Sequence, residues 1–245
     1  MNILFDIGNT YVKTGYIKED KIFFKSVNKS NAVKEVKTFI KSIKGEDLKA
    51  YIVSVNEDML RKIKEVLSSL GISCKVFSKS DIDFETRYEE DTLGHDRIVT
   101  DYGAYKLYGG KIIVIDLGTA ATFDLIDENG IHLGGAIMPG KETYQFSLLK
   151  KAKILPKSEM LKGLNPVGTT TVKNLNAGLY YGFIGSVIHM IKTYKSMDKY
   201  KDYKVILTGG DTELFSGYDC IDIFDRELTL KALNIIYSTW VHKKE

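Results

Sequence analysis

The sequence predicts an α/β fold built from two similar halves, and three observations predict it. The segment Asp6-Ile7-Gly8-Asn9-Thr10 is echoed 110 residues later by Asp116-Leu117-Gly118-Thr119-Ala120. Each copy follows an apolar run (2–5 and 111–115) and leads into a second strand-like run, 11–17 and 121–126. Elsewhere apolar residues recur at helical spacing. Strand, Asp-x-Gly turn, strand, used twice, sets a carboxylate at two hairpin tips. Beside each carboxylate stands a glycine that admits close backbone approach, with a Thr or Asn next to it. Carboxylate, bare N–H groups and hydroxyl suit a metal–polyphosphate ligand. One such turn alone reads as a hairpin; two, opening two halves, suggest a duplicated domain with a nucleotide between the copies.

The first half reads as three strands, 2–5, 11–17 and 21–27, separated by turn chemistry at Gly8-Asn9 and Lys18-Glu19-Asp20. A helix is expected over 31–43 from Val33, Val36, Phe39, Ile40 and Ile43. A strand follows at 50–55. Leu60, Ile63, Val66, Leu67 and Leu70 predict a helix over 59–70, stopped by Gly71. A strand at 74–77, a polar and acidic loop at 80–93 and a helix at 96–108 complete this half, closed by Gly109-Gly110. The second half gives strands near 112–116, 121–127 and 131–137, and a chain break at Pro139-Gly140. Helices are expected at 142–151 and 172–194, strands at 204–207 and 220–224, and a last helix at 228–240. The domain break is placed near 109–111, giving domains 1–110 and 111–245. The β-β-β-α-β-α-β order of the first half resembles the ribonuclease-H-like unit of the actin, sugar-kinase and Hsp70 (ASKHA) superfamily.

Composition excludes several classes. The 245 residues are 44% hydrophobic and 27% charged, ordinary for a chain with a full core. Net charge is +3, and the basic residues are spread rather than massed, so nucleic acid is not implied. Cys74 and Cys220 make neither a disulfide framework nor a zinc pattern. The chain enters a strand at once, without a signal-peptide pattern, and no apolar run reaches the roughly 18–20 residues that span a bilayer. A cytoplasmic protein without membrane attachment is expected.

Five segments carry chemistry. At the first turn, Asp6 orients Mg²⁺ and the turn amides hold phosphate oxygens, or the Asp only caps a β-turn; Lys13 reaches a phosphate or is an exposed strand lysine. Gly94-His95-Asp96-Arg97 stands at a loop-to-helix junction. There Asp96 either caps the helix or accepts a proton from an attacking hydroxyl, and Arg97 binds an anionic substrate. His95 is a second candidate base, although a lone His is more often incidental. At the second turn Asp116 holds a cation and Thr119 donates to a phosphate oxygen, or both only shape a hairpin. The glycines of Gly134-Gly135-Ala136-Ile137-Met138-Pro139-Gly140 permit close approach to a ligand or another backbone. Thr208-Gly209-Gly210-Asp211, a strand ending in two glycines, is a nucleotide-binding element or a plain turn.

In this order, the five segments resemble the type III pantothenate kinases, once described through Bvg accessory factor homologues. The resemblance runs from Asp6 to Leu228-Thr229-Leu230-Lys231-Ala232-Leu233-Asn234 in the last helix. It implies transfer of the γ-phosphoryl group of ATP to pantothenate, the first step of coenzyme A synthesis. Carried over by motif, Asp6, Ile7, Gly8, Asn9, Thr10, Tyr11, Val12 and Lys13 bind ATP with Mg²⁺, and Asp6 is a metal ligand. Thr119 touches ATP. Asp116 binds a monovalent cation, K⁺ or NH₄⁺. Gly94, His95, Asp96 and Arg97 line the pantothenate site with Asp96 as proton acceptor, and Thr171 contacts pantothenate, as does Tyr88. The resemblance also implies a homodimer with a shared active site. Two departures stand out: Thr170 occupies a place where the family commonly has an acid, and no Pro lies between Tyr88 and Gly94. The rival readings are a related small-metabolite kinase and a non-catalytic ATP-binding regulatory protein.

Overall fold

The computed structural model describes residues 1–19, 21–43, 47–89 and 92–242. Asp20 of the expected second turn, Glu90 and Asp91 of the polar loop, and residues 243–245 lie outside them. The chain divides into two compact units: Met1–Gly109 with Asn129–His132 and Glu227–Glu245, and Gly110–Glu128 with Leu133–Arg226.

In the first unit β1 (Asn2–Ile7), β2 (Tyr11–Lys18) and β3 (Lys21–Asn28) form an antiparallel meander. After α1 (Ala32–Ser42), β4 (Lys49–Ser54) joins parallel to β1; after α2 (Glu57–Ser69), β5 (Ser73–Val76) joins parallel to β4. The sheet order is β3-β2-β1-β4-β5. Asn56 starts α2 by accepting the Met59 N–H at 3.0 Å. Side chains alternate across the pleat. Ile3, Phe5 and Ile7 therefore pack with Val36, Ile40, Leu60, Ile63 and Leu67 of α1 and α2. Leu4 points the other way, into a cluster with Ile98, Val99 and Tyr102 of α3 (His95–Tyr108). Asp6, two residues beyond Leu4, shares the α3 face.

The second unit repeats the plan. β6 (Ile112–Leu117), β7 (Ala120–Ile126) and β8 (His132–Pro139) are followed by α4 (Lys141–Lys151) and α5 (Thr171–Lys195). β9 (Lys204–Gly209) pairs parallel to β6, and β10 (Ile223–Phe224) parallel to β9, giving β10-β9-β6-β7-β8. Ile113, Ile115 and Leu117 pack on Leu179, Phe183, Val187 and Ile191 of α5. Most of the apolar surface of α5 is thus buried within its own unit, while Val172 stays 42% exposed. The last helix, α6 (Leu228–His242), belongs to the first unit, where it packs on α3. Gly103 of α3 lies against Ala232, leaving no room for a Cβ, and the Thr100 and Thr229 hydroxyls meet at 3.0 Å.

Three local expectations change. The 80–93 loop carries structure: Ser78 and Asp81 cap a 3₁₀ turn over Lys79–Asp81, and Thr86 forms a parallel bridge with His132. β8 runs on to Pro139 because it is an edge strand, where a missing N–H breaks no ladder. The 220–224 strand shrinks to two residues, because the Asp222 carboxylate takes the Val205 N–H at 2.7 Å in place of a backbone carbonyl. No helix among the described residues is long and apolar enough to cross a membrane.

Candidate active site

In the first unit the pleat brings the predicted residues together. Asp6, the last residue but one of β1, lies on the α3 face, and its cross-strand partner on β2 is Lys13. Neighbours in such a pair share a face, and Lys13 Nζ stands 3.4 Å from Asp6 Oδ2, both side chains mostly buried. Lys13 is therefore not the exposed strand lysine of the bland reading. The Gly8 N–H donates to the Tyr11 carbonyl at 3.0 Å and closes the hairpin, while Asn9 at the tip is exposed and Val12 lies in the core.

Across from Asp6 begins α3. Gly94 is its cap, its carbonyl accepting the Ile98 N–H, and His95 and Asp96 are its first residues. The Arg97 N–H donates to Asp96 Oδ1 at 2.8 Å. Asp96 therefore does stabilise the helix start, yet its carboxyl lies above the ordinary carboxylate range. Burial is the main cause, and the Asp6 carboxylate adds to it against the lowering pull of Arg97. Two acids thus lie close enough to repel, one paired with a lysine and the other with its carboxyl raised. His95 is exposed. The Arg97 guanidinium lies 5.7 Å over the Tyr88 ring.

In the second unit Asp116, the last residue but one of β6, lies on the face opposite α5. Its partners in register, Thr122 on β7 and Thr208 on β9, lie on the same face. The Thr208 hydroxyl is fully buried and has no hydrogen-bond partner among the described residues. The backbone closes tightly around this carboxylate. Gly209, at φ +97°, could carry a Cβ only by displacing the Leu117 carbonyl and approaching Asp116 Oδ1 to 2.6 Å. Gly140 sits against the Gly118 carbonyl, its N–H donating to the Thr119 carbonyl at 3.1 Å; the Thr143 hydroxyl donates to the same oxygen at 2.6 Å. Lys141 pairs with Asp211. Thr171 opens α5. The Thr170 hydroxyl is engaged as its cap, accepting the Lys173 N–H at 3.3 Å, which leaves Thr171 as the exposed hydroxyl of the first turn.

These donor sets fit the expected ligands. Carboxylates with amides and hydroxyls are hard oxygen and N–H groups of the kind that bind Mg²⁺ and phosphate. One carboxylate flanked by two threonines, one hydroxyl of which lacks a partner among the described residues, suits a cation of single charge. The glycine contacts at Gly140 and Gly209 follow from the motifs. His132, buried beneath Tyr88, was invisible to sequence reasoning, since a single His at a strand start carries no spacing signal.

Comparison with known proteins identifies the family. A family model described as type III pantothenate kinase matches residues 2–193. The type III pantothenate kinase of Brevibacillus brevis is 31% identical over 97% of this chain and 98% of its own length. That of Agathobacter rectalis is 41% identical, over 59% of this chain and 56% of that protein, so the matched span is little more than half of each. Among solved structures, a Campylobacter jejuni protein described as a Baf family transcriptional activator superposes with a TM-score of 0.62 at 25% identity, covering 98% of this chain and 99% of that one. Component A of the (R)-2-hydroxyglutaryl-CoA dehydratase of Acidaminococcus fermentans shares the fold at a TM-score of 0.54 and 12% identity, over 100% and 99% of the two chains. The chain belongs to the type III pantothenate kinase family, whose members phosphorylate pantothenate with ATP in coenzyme A biosynthesis.

Proposed function

We propose that this chain phosphorylates pantothenate with ATP and that Asp96 accepts the proton of the attacking hydroxyl. The observation that carries the residue assignment is the pair of acids, Asp6 beside Lys13 and Asp96 with its carboxyl raised by burial and by Asp6. A base works best when its pKa approaches the working pH, and a raised carboxyl moves that way. The same half-burial that raises it holds the group in place, so it orients the hydroxyl before taking its proton. Phosphoryl transfer has a loose transition state, in which positioning and charge neutralisation supply most of the acceleration.

The remaining roles follow the motifs. Residues 6–13 hold the ATP phosphates, with Asp6 toward Mg²⁺, which neutralises phosphate charge when bound. Lys13, already paired with Asp6, is placed to offset that charge as well. Thr119 contacts ATP, and Asp116 with its flanking threonines holds K⁺ or NH₄⁺. Gly94, His95, Arg97, Tyr88 and Thr171 line the acceptor site, Arg97 receiving the carboxylate of pantothenate. We place the enzyme in the cytoplasm, as a homodimer with no nucleic-acid partner. Exposed Phe146, Leu148, Ile154, Val167 and Val172 on and around α4 and the start of α5 support a partner subunit. The presence of Asp6, Asp96 and Asp116 together speaks against a non-catalytic regulatory protein.

Mass spectrometry of a reaction with ATP tests the proposal. A product heavier than pantothenate by one phosphoryl group (HPO₃) is expected, formed by wild type and far more slowly by Asp96→Asn at matched enzyme. Equal product from both removes Asp96 from the reaction; no product from wild type removes the kinase reading.

A further inference from the structure

His132 is the first residue of β8, is fully buried, and belongs to the first unit. Its contacts converge on segment 84–88. Its backbone N–H donates to the Glu85 carbonyl at 2.9 Å, and its carbonyl accepts the Arg87 N–H at 2.8 Å. Its Nδ1 lies 2.9 Å from the Thr86 hydroxyl. Its ring lies 6.2 Å from Phe84 and 6.0 Å from Tyr88. The same Thr86 hydroxyl accepts the Tyr88 N–H at 3.0 Å. One histidine thus grips the segment through main chain, hydroxyl and rings.

The other ring nitrogen looks toward α3. His132 Nε2 stands 3.9 Å from Asp101 Oδ2, and Asp101 is 1% exposed. A carboxylate on that side favours the proton on Nε2, which leaves Nδ1 to accept from Thr86. Asp101 sits on the helix that begins with Asp96 and Arg97. The ring is therefore clamped between the segment that carries Tyr88 and the helix that carries Arg97, and Arg97 lies over Tyr88.

We propose that His132 is a positioning residue for the acceptor site: through Thr86 it fixes the Tyr88 ring under the Arg97 guanidinium and so sets the affinity for the anionic acceptor. The inference rests on the assignment of Tyr88 and Arg97 to that site. A ring held by a part-buried hydrogen bond keeps Arg97 in one geometry before substrate arrives, and the binding energy is not spent on ordering it. ATP, held by other residues, gains nothing from it.

The test is a set of variants read by the split between KM and kcat. His132→Phe keeps the ring and removes the Nδ1 acceptor; Thr86→Val removes the hydroxyl and keeps its shape. Each is expected to raise KM for pantothenate roughly five- to tenfold, the effect of one lost part-buried hydrogen bond. KM for ATP and kcat should move less than twofold. The double variant should be no worse than the poorer single one, because both break one link. His132→Asn, which can place an oxygen near the Nδ1 position, should recover most of the affinity. A merely structural role would lower melting temperature and active fraction, hence apparent kcat, and leave KM alone; that result overturns the inference. Tyr88→Ala separates the two levels. If it raises KM for pantothenate while His132→Phe and Thr86→Val do not, the positioning role fails and the acceptor site stands. If Tyr88→Ala leaves KM unchanged, both fall. Should His132→Phe not fold, Thr86→Val on the partly buried segment decides alone.

Discussion

Asp96→Asn should weaken catalysis and strengthen the fold. The substitution keeps volume and keeps an Oδ1 that accepts the Arg97 N–H, now at 2.8 Å, so the start of α3 is preserved. What it removes is a charge. In the native protein that charge is disfavoured by burial first and by Asp6 second, which is why the carboxyl sits above its usual 3.8. A group raised in this way leaves the native state holding its proton over a pH window where the unfolded chain has released it. Stability therefore falls as pH climbs from about 4, the unfolded value, through the raised native value, and the penalty is complete above it. The Asn variant carries none of that penalty. Its melting temperature should exceed that of wild type at pH 7, and the difference should shrink toward zero as both are acidified below pH 4. Loss of a positioned proton acceptor costs ~10²–10⁴ in turnover, about 2.7–5.5 kcal/mol of transition-state stabilisation at roughly 1.36 kcal/mol per tenfold. Melting curves at several pH values and steady-state turnover at pH 7 read both effects. Unchanged turnover, or a variant less stable than wild type at pH 7, would refute the reasoning.

Other outcomes follow from the same geometry. Gly209→Ala meets a φ of +97° and the Asp116 carboxylate at 2.6 Å; left-handed strain of about 1–2 kcal/mol and overpacking of about 1–3 kcal/mol should lower the melting temperature and activity together, and a neutral result would mean that the cradle is looser than described. Asp116→Ala should be nearly inactive and indifferent to K⁺, while wild type should lose activity when sodium replaces K⁺ and NH₄⁺; full wild-type activity in sodium alone contradicts a monovalent-cation site. Mixing inactive Asp96→Asn with inactive Thr171→Arg should restore part of the activity if two subunits share a site, and sedimentation should give twice the 27.6 kDa chain mass. A fully active monomer excludes sharing.

Much of the fold was legible because its signals are local. The Gly71 stop and the apolar spacing through Ile63 and Leu67 place α2 within two residues at either end. The twin hairpins were legible because Asp-x-Gly turns follow apolar runs. What periodicity does not carry is which long-range partner an element finds. Nothing in 228–240 announces that Ala232 seats against Gly103, or that Thr229 meets the hydroxyl of Thr100, 129 residues away. Periodicity marks α5 as apolar but does not say against what it packs: Leu179, Phe183 and Val187 are used against β6 and its neighbours. Side chains that replace main chain are equally silent. Asp222 shortens β10 by taking a ladder N–H, and Ser78 with Asp81 structures a stretch that reads as polar loop. In the candidate site the motif residues were readable one by one. Their pairing was not: Asp6 meets Lys13 through strand register, and it acts on the Asp96 carboxyl because the alternation turns it to the α3 face, away from Ile7. His132 left no trace because its role lies in contacts spread over segment 84–88.

The central claim is that this chain consumes ATP for the sake of pantothenate. Release of ADP by the purified protein, followed in K⁺ buffer with Mg²⁺ and measured with and without pantothenate, tests it most directly. We expect ADP to form in step with added pantothenate and to stop at its exhaustion, one ADP for each pantothenate. ADP release that ignores pantothenate, or none in its presence, would contradict the claim.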